Sequence, residues 1–151
     1  MKKAILILAI LSMGGFALAQ KVKESAVPAP VKSGFVALYA TDKVDNWKKE
    51  KGNYEASFMK DSKKMLVLFK PNGDWIETKA QIDASELPAP VTTYVKNNYP
   101  GQTIWDAYKI TKSGGGDVNY KAEVGKMSLF FDAQGNFIKT EKEAGMSMLS
   151  R

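Results

Sequence analysis

Apolar and polar positions change period several times along the chain. Val91, Val95 and Tyr99 recur at helical spacing, and upstream Val31, Phe35, Leu38 and Tyr39 do the same. Both series begin with nearly the same five residues, VPAPV at Val27 to Val31 and LPAPV at Leu87 to Val91. With Leu87 in the cap region, Pro88 and Pro90 fall in the first helical turn. There the backbone N–H groups have no intrahelical partner, and proline's fixed φ suits the helix. Each copy therefore predicts one amphipathic helix of about three turns. Pro100-Gly101 stops the second helix, and Ala40-Thr41 is a weaker stop for the first.

After each helix the period shortens to two. Tyr54, Ala56 and Phe58 alternate with Glu55 and Ser57, and Tyr120, Ala122 and Val124 repeat the arrangement. The first copy predicts strands over 43–50, 53–60, 63–70 and 74–79, joined by Lys51-Gly52, Asp61-Ser62 and Pro71-Asn72-Gly73. The second predicts 103–112, 117–124, 126–132 and 136–142, its first hairpin turning through Ser113-Gly114-Gly115-Gly116. Gaps this short make neighbouring strands antiparallel. The third strands, Met65 to Phe69 and Met127 to Phe131, are apolar on both faces or nearly so, as central strands are.

The two halves align. Pro28 with Pro88, Tyr39 with Tyr99 and Val44 with Ile104 keep an offset of 60, Tyr54 with Tyr120 one of 66, and Phe69 with Phe131 one of 62. Changes of offset fall between strands, where a folded repeat tolerates them. The expected fold is α+β: a tandem repeat of one N-terminal helix packed on a four-stranded antiparallel sheet. The expected boundaries are an export signal at 1–19, a linker at 20–26, the first unit at 27–80, a linker at 81–86, the second unit at 87–144 and a tail at 145–151.

Composition changes this picture mainly at the N-terminus. Lys2 and Lys3 precede the apolar run from Ala4, and the small residues Ala17-Leu18-Ala19 precede Gln20, the pattern of a secretory signal cleaved after Ala19. The apolar stretch is short for a spanning helix, and Gly14-Gly15 weaken it, so the expected address is periplasmic or secreted with no membrane insertion after cleavage. There is no cysteine, so the exported chain must be stable without disulfides. Loss of Lys2 and Lys3 leaves 20 basic against 16 acidic residues and takes the formal charge from +6 to +4. The lysines are interleaved with acids, as on a solvated surface, so nucleic acid is not an expected partner.

With the repeat in view, a resemblance becomes specific. LPxxV, a short helix ending in YPG, Ile104-Trp105, Tyr120 to Val124 and the Phe131 to Ile138 pattern Phe-Asp-x-x-Gly-x-Phe-Ile together resemble the PepSY-like family. The likeness spans essentially the whole exported chain in two copies, the second being the cleaner match. The first departs with Tyr-Ala for Tyr-Pro and Lys70-Pro71 for Asp132-Ala133. The resemblance implies a small exported protein with a fold like that of beta-lactamase inhibitory protein. It carries no inhibitory residue across, because the matching positions are structural.

Catalysis is not expected. Without histidine or cysteine the Ser-His, Cys-His and common zinc arrangements cannot form. Asp42 with Asp45 reads as an ordinary turn, Gly114-Gly115-Gly116 lacks the Gly-Lys-Ser/Thr of a phosphate loop, and Asp132 to Asn136 is explained by hairpin chemistry, so no metal or cofactor is implied. The remaining lead is aromatic. Counting from Val44 and Ile104 places Trp47 and Trp105 on the sheet face opposite the helices, while the side of Trp75 stays open. With Tyr108 they are the expected binding residues for an envelope or extracellular protein, since tryptophan dominates interface hot spots. Two alternatives stand beside that reading. The tryptophans pack in the core or at the junction of the repeats, or the protein is a small-molecule or peptide carrier or a weak hydrolase using Asp106, Tyr108 and Tyr120.

Overall fold

The computed structural model describes residues 19–116 and 118–142. The expected export signal, up to residue 18, and the tail at 145–151 lie outside the described residues. The architecture is α+β: two helices and one nine-stranded antiparallel sheet whose spatial order is the chain order. The strands are β1 (Gln20–Val22), β2 (Asn46–Glu50), β3 (Asn53–Lys60), β4 (Lys63–Phe69), β5 (Trp75–Ile82), β6 (Ile104–Lys112), β7 (Asn119–Val124), β8 (Met127–Phe131) and β9 (Phe137–Lys142). The helices are α1 (Ala29–Leu38) and α2 (Ala89–Asn98), each preceded by a short 3-10 turn.

The sequence left open how the two sets of strands join: β5 pairs with β6 through Glu77 to Ile82 against Ala107 to Lys112 and fuses the halves into one sheet. Two expectations change. Gln20 to Val22, expected in a linker, adds an edge strand against Trp47 to Lys49. Leu38, expected on the buried stripe of α1, is 49% exposed. The helix ends there, and Tyr39, with φ −138° and ψ 60°, turns its ring back onto Phe35 and Phe58.

Both helices lie on one face. Val31 and Phe35 of α1 bury against Trp47, Ala56, Phe58, Val67 and Phe69. Val91 and Val95 of α2 bury against Ala107, Ala122, Val124, Leu129 and Phe131. The register puts these strand residues on a single side, since Ala56 faces Val67 and Val67 faces Thr78, while Ala107 faces Ala122 and Ala122 faces Leu129.

The doubled prolines act in this packing. Pro28 and Pro88 stand at the helix N-caps with extended ψ, and Pro30 and Pro90 follow in the first turn. A Cβ on Gly73, in the β4–β5 turn at φ +91°, would run into the Pro30 carbonyl oxygen. One on Gly135, in the β8–β9 turn at φ +86°, would sit 3.0 Å from Pro88 Cβ and 3.2 Å from Pro90 Cβ. Each helix start is therefore seated on a turn that only glycine builds.

Candidate functional site

The face of the sheet that carries no helix is read off the register. One cross-strand row runs Glu55, Leu68, Glu77, Lys112, and the next Ser57, Leu66, Lys79, Ile110, Asn119. A third runs Gln81, Tyr108, Lys121, Phe130, Lys139, and a fourth Asp106, Glu123, Ser128, Glu141. Leu66 and Leu68 on β4, Tyr108 and Ile110 on β6 and Phe130 on β8 alternate across this face with Glu77, Lys79, Gln81 and Lys121.

This face is concave. In a flat sheet β5 and β9 would stand about 19 Å apart, four spacings of about 4.8 Å. Yet Glu77 and Lys79 of β5 line one hollow of ≈ 230 Å³ together with Ile138 and Glu141 of β9. The hydrogen bond from Lys139 holds the Glu141 carboxyl below the usual carboxylate range, and Lys51, from the β2–β3 hairpin far along the sheet, also lowers it. Curling buries Tyr108 (4% exposed) and Glu123 (5%) although no helix covers them.

The most buried polar groups of this face are paired, as burial requires. Lys79 Nζ lies 3.2 Å from Glu77 and 3.8 Å from Glu55. Burial pulls the Lys79 pKa down, but the Glu77 and Glu55 carboxylates outweigh it and hold the group above its ordinary value. Glu123 pairs with Lys121 and accepts a 2.7 Å bond from the Ser128 hydroxyl. Tyr108 donates its hydroxyl to Asp106 Oδ2 at 2.7 Å, and Gln81 Nε2 donates to Asp106 Oδ1 at 2.8 Å. Burial first, then that bond to Asp106, raises the Tyr108 pKa well above the phenolic range, so its proton stays in place as a fixed donor.

The expected binding residues separate. Tyr108 is on the concave face, flanked by Lys121 with its ammonium 5.4 Å from the ring centroid. Trp47 is not on that face: it is 4% exposed, in the α1 core, edge-on to Phe35 at 6.1 Å. Parity counted from Val44 fails because the strand begins only at Asn46, after a bend at Asp45. Trp75 is half-buried on the helix side, where its Nε1 donates to Thr78 Oγ1 at 3.0 Å.

Trp105 is 55% exposed and belongs to neither face. Ile104 pairs with Val124 and Asp106 with Glu123, so Trp105 is the extra residue of a bulge, which re-aims a side chain. Its Nε1 donates to the Gly125 carbonyl at 3.1 Å. Of the residues considered for hydrolysis, Asp106 and Tyr108 meet on the concave face, but Tyr120 faces the other way, opposite Phe131 and against the α2 core. The three are not brought together. Leu66, Leu68, Ile110 and Phe130 were missed as surface candidates. For Leu66, Leu68 and Phe130 the signal was the doubly apolar third strand, which marks the second buried-looking face of a curled sheet as readily as a central position.

A single antiparallel layer carries both helices on one side and leaves a concave, side-chain-rich surface on the other. The chain belongs to the PepSY-like family, described as "Putative beta-lactamase-inhibitor-like, PepSY-like", which matches it over residues 17–67 and 52–139. Solved structures share the fold. A protein from Bacteroides eggerthii, described as a "putative periplasmic" protein, superposes with a TM-score of 0.67 at 18% identity, over 77% of this chain and 88% of its own. A DUF2874 family protein from Bacteroides ovatus gives 0.65 at 22% identity, over 82% and 93%. A BLIP-like protein from Bacteroides fragilis gives 0.61 at 17%, over 82% and 92%. None of the curated proteins matches this chain. Among the described residues no helix is long and apolar enough to cross a membrane.

Proposed function

We propose that this protein is an exported, non-catalytic binding module that engages an envelope or extracellular protein through its concave sheet face. The observation that carries this reading is a helix-free, curled face on which the half-buried Leu66, Leu68 and Phe130 alternate with the paired charges of Glu77, Lys79, Lys121 and Glu123. Apolar side chains set among satisfied polar groups are the mixed surface that a non-obligate protein interface presents. The ion pairs hold the surface rigid before contact, so little side-chain entropy remains to be lost on binding. Periplasmic or secreted residence fits the Lys2-Lys3, apolar and Ala17-Leu18-Ala19 pattern of the N-terminus. The family description extends the reading to inhibition of the bound partner. We further infer that the halves are tandem copies, supported by the aligned prolines, tyrosines and glycines and by the same series of 3-10 turn, helix and four strands in each.

The test is affinity capture of envelope proteins on the purified protein, with Leu68→Lys and Phe130→Lys as parallel baits. A partner retained by wild type and lost by both folded variants supports the concave face, and the partner's activity with stoichiometric protein then reports inhibition. A partner retained equally by all three baits places recognition elsewhere. No specific partner on any bait removes the protein-binding reading.

A further inference from the structure

A second surface lies at the end of the sheet where the halves join. The β3–β4 turn (Ser62, Lys63), the end of β5 (Gln81 to Ala84) and the start of β6 (Ile104 to Ala107) enclose a cleft of ≈ 450 Å³. Its wall joins the polar Ser62, Lys63, Gln81, Asp83 and Asp106 to small or aliphatic side chains and the indole of Trp105. That ring is exposed yet fixed, because the bulge turns it outward and its N–H is held by Gly125. Beneath it, Asp106 is oriented from three directions by Gln81, Tyr108 and the Ala107 N–H. Lys63 Nζ reaches Asp83 at 2.8 Å and keeps two further protons for donation. The position matching Trp105 in the first half, at the offset that aligns Val44 with Ile104, is Asp45, so the platform exists once in the chain.

The chemistry of the cleft restricts its ligand. Two carboxylates, Asp83 and Asp106, against one lysine disfavour anions such as phosphates. A peptide read through its backbone needs a free strand edge. Here β5 and β6 are paired on both sides, and the sheet edges are β1 and β9. Drug-like apolar ligands seek mostly apolar walls. A neutral molecule with one flat C–H face and a rim of hydroxyls matches both the exposed indole and the polar groups around it. The geometry points to a glycan site: a pyranose ring stacked on Trp105, with its hydroxyls reaching Lys63, Asp106 and Ser62.

The test follows the three indole N–H resonances of the isotope-labelled protein during titration with cellotetraose, chitotetraose, xylotetraose and mannotetraose into the millimolar range. Trp105 is distinguished from the buried Trp47 and half-buried Trp75 by its Trp105→Phe variant. The expected result is a saturable shift of the Trp105 signal with at least one sugar, with Trp47 unmoved. Followed through the backbone amides of Ser62, Lys63 and Asp106, binding weakens by roughly tenfold or more in Trp105→Ala, is partly kept in Trp105→Phe, and weakens in Lys63→Ala. A Trp105 resonance that none of the four sugars moves, or an affinity unchanged in a folded Lys63→Ala, Ser62→Ala double variant, overturns the proposal. The cleft shares Gln81 and Asp106 with the concave face, whose binding role is tested separately at Leu68 and Phe130, outside this cleft.

Discussion

Replacing Gly34 with alanine sets two physical effects against each other. In the middle of α1, glycine costs about 0.5–1 kcal/mol relative to alanine through backbone entropy, so helix propensity alone makes Gly34→Ala stabilising. The structure reverses the sign. A Cβ at Gly34 would overlap the Gly73 carbonyl oxygen and come within 3.4 Å of Phe69 Cδ1. Gly73 cannot yield easily, because it sits at φ +91° and packs its own Cα side against the Pro30 carbonyl. Forcing a methyl into such a contact costs about 1–3 kcal/mol, and the sum is a net loss of about 1 kcal/mol. Urea unfolding measures it: with m of about 2 kcal/mol/M, the midpoint falls by roughly 0.5 M. Ser33→Ala, next door and exposed, isolates propensity and should raise the midpoint slightly. If Gly34→Ala raises it as well, the helix is not clamped on the turn and the reasoning is wrong.

The remaining expectations use other parts of the fold. Trp47→Ala should cost about 3–5 kcal/mol in denaturant unfolding, as a truncated core aromatic does, whereas Trp105→Ala should stay within about 0.5 kcal/mol; equal losses would contradict the placement of the two rings. Asp132 accepts bonds from the Asn136 side chain and backbone and from the Gln134 N–H, and the Asn136 bonds chiefly hold its carboxyl below the ordinary value. A lowered folded pKa means that its contribution is present above the ordinary value of 3.8 and lost as pH falls through the folded one. Acid unfolding of Asp132→Asn should therefore lack part of the wild-type pH dependence. Lys79 has the opposite sign: its raised pKa gives stability present below the ordinary value of 10.5 and lost as pH rises through the folded one. Lys79→Met, which leaves Glu55 and Glu77 without their shared cation, should be less stable at neutral pH and should lose that alkaline dependence, as thermal unfolding between neutral and strongly alkaline pH would show.

Much of the secondary structure was legible because each element carries its own local signal. The Pro-x-Pro starts located both helices, and Lys51-Gly52 and Asp61-Ser62, all but Gly52 non-glycine residues at positive φ, are the turns that bound β3. The joining of the halves was not legible, because pairing of β5 with β6 across α2 depends on where the helix folds back and leaves no periodicity in either strand. The faces of the tryptophans were misread for a related reason. Alternation propagates only through unbroken strand, and a bend at Asp45 and a bulge at Trp105 each reset it. Tyr108 was identified, but the strands of its companions Leu66, Leu68 and Phe130 were read only as central strands. A curled sheet makes its second face nearly as apolar as the first, and hydropathy does not tell curling from coverage.

The strict order of the nine strands has a consequence for how the molecule is made. Every strand bonds only to the strands before and after it, so the sheet needs no crossover between distant segments, and its longest excursions are those that form α1 and α2. Loop-closure entropy is correspondingly small and contact order low for a sheet of this size. A chain delivered N-terminus first can lay down β2, β3 and β4, seat α1 on them through Gly73, and extend the same edge hairpin by hairpin. At each stage the growing edge is occupied by the next segment to arrive, which limits the time an unpaired strand is open to other chains.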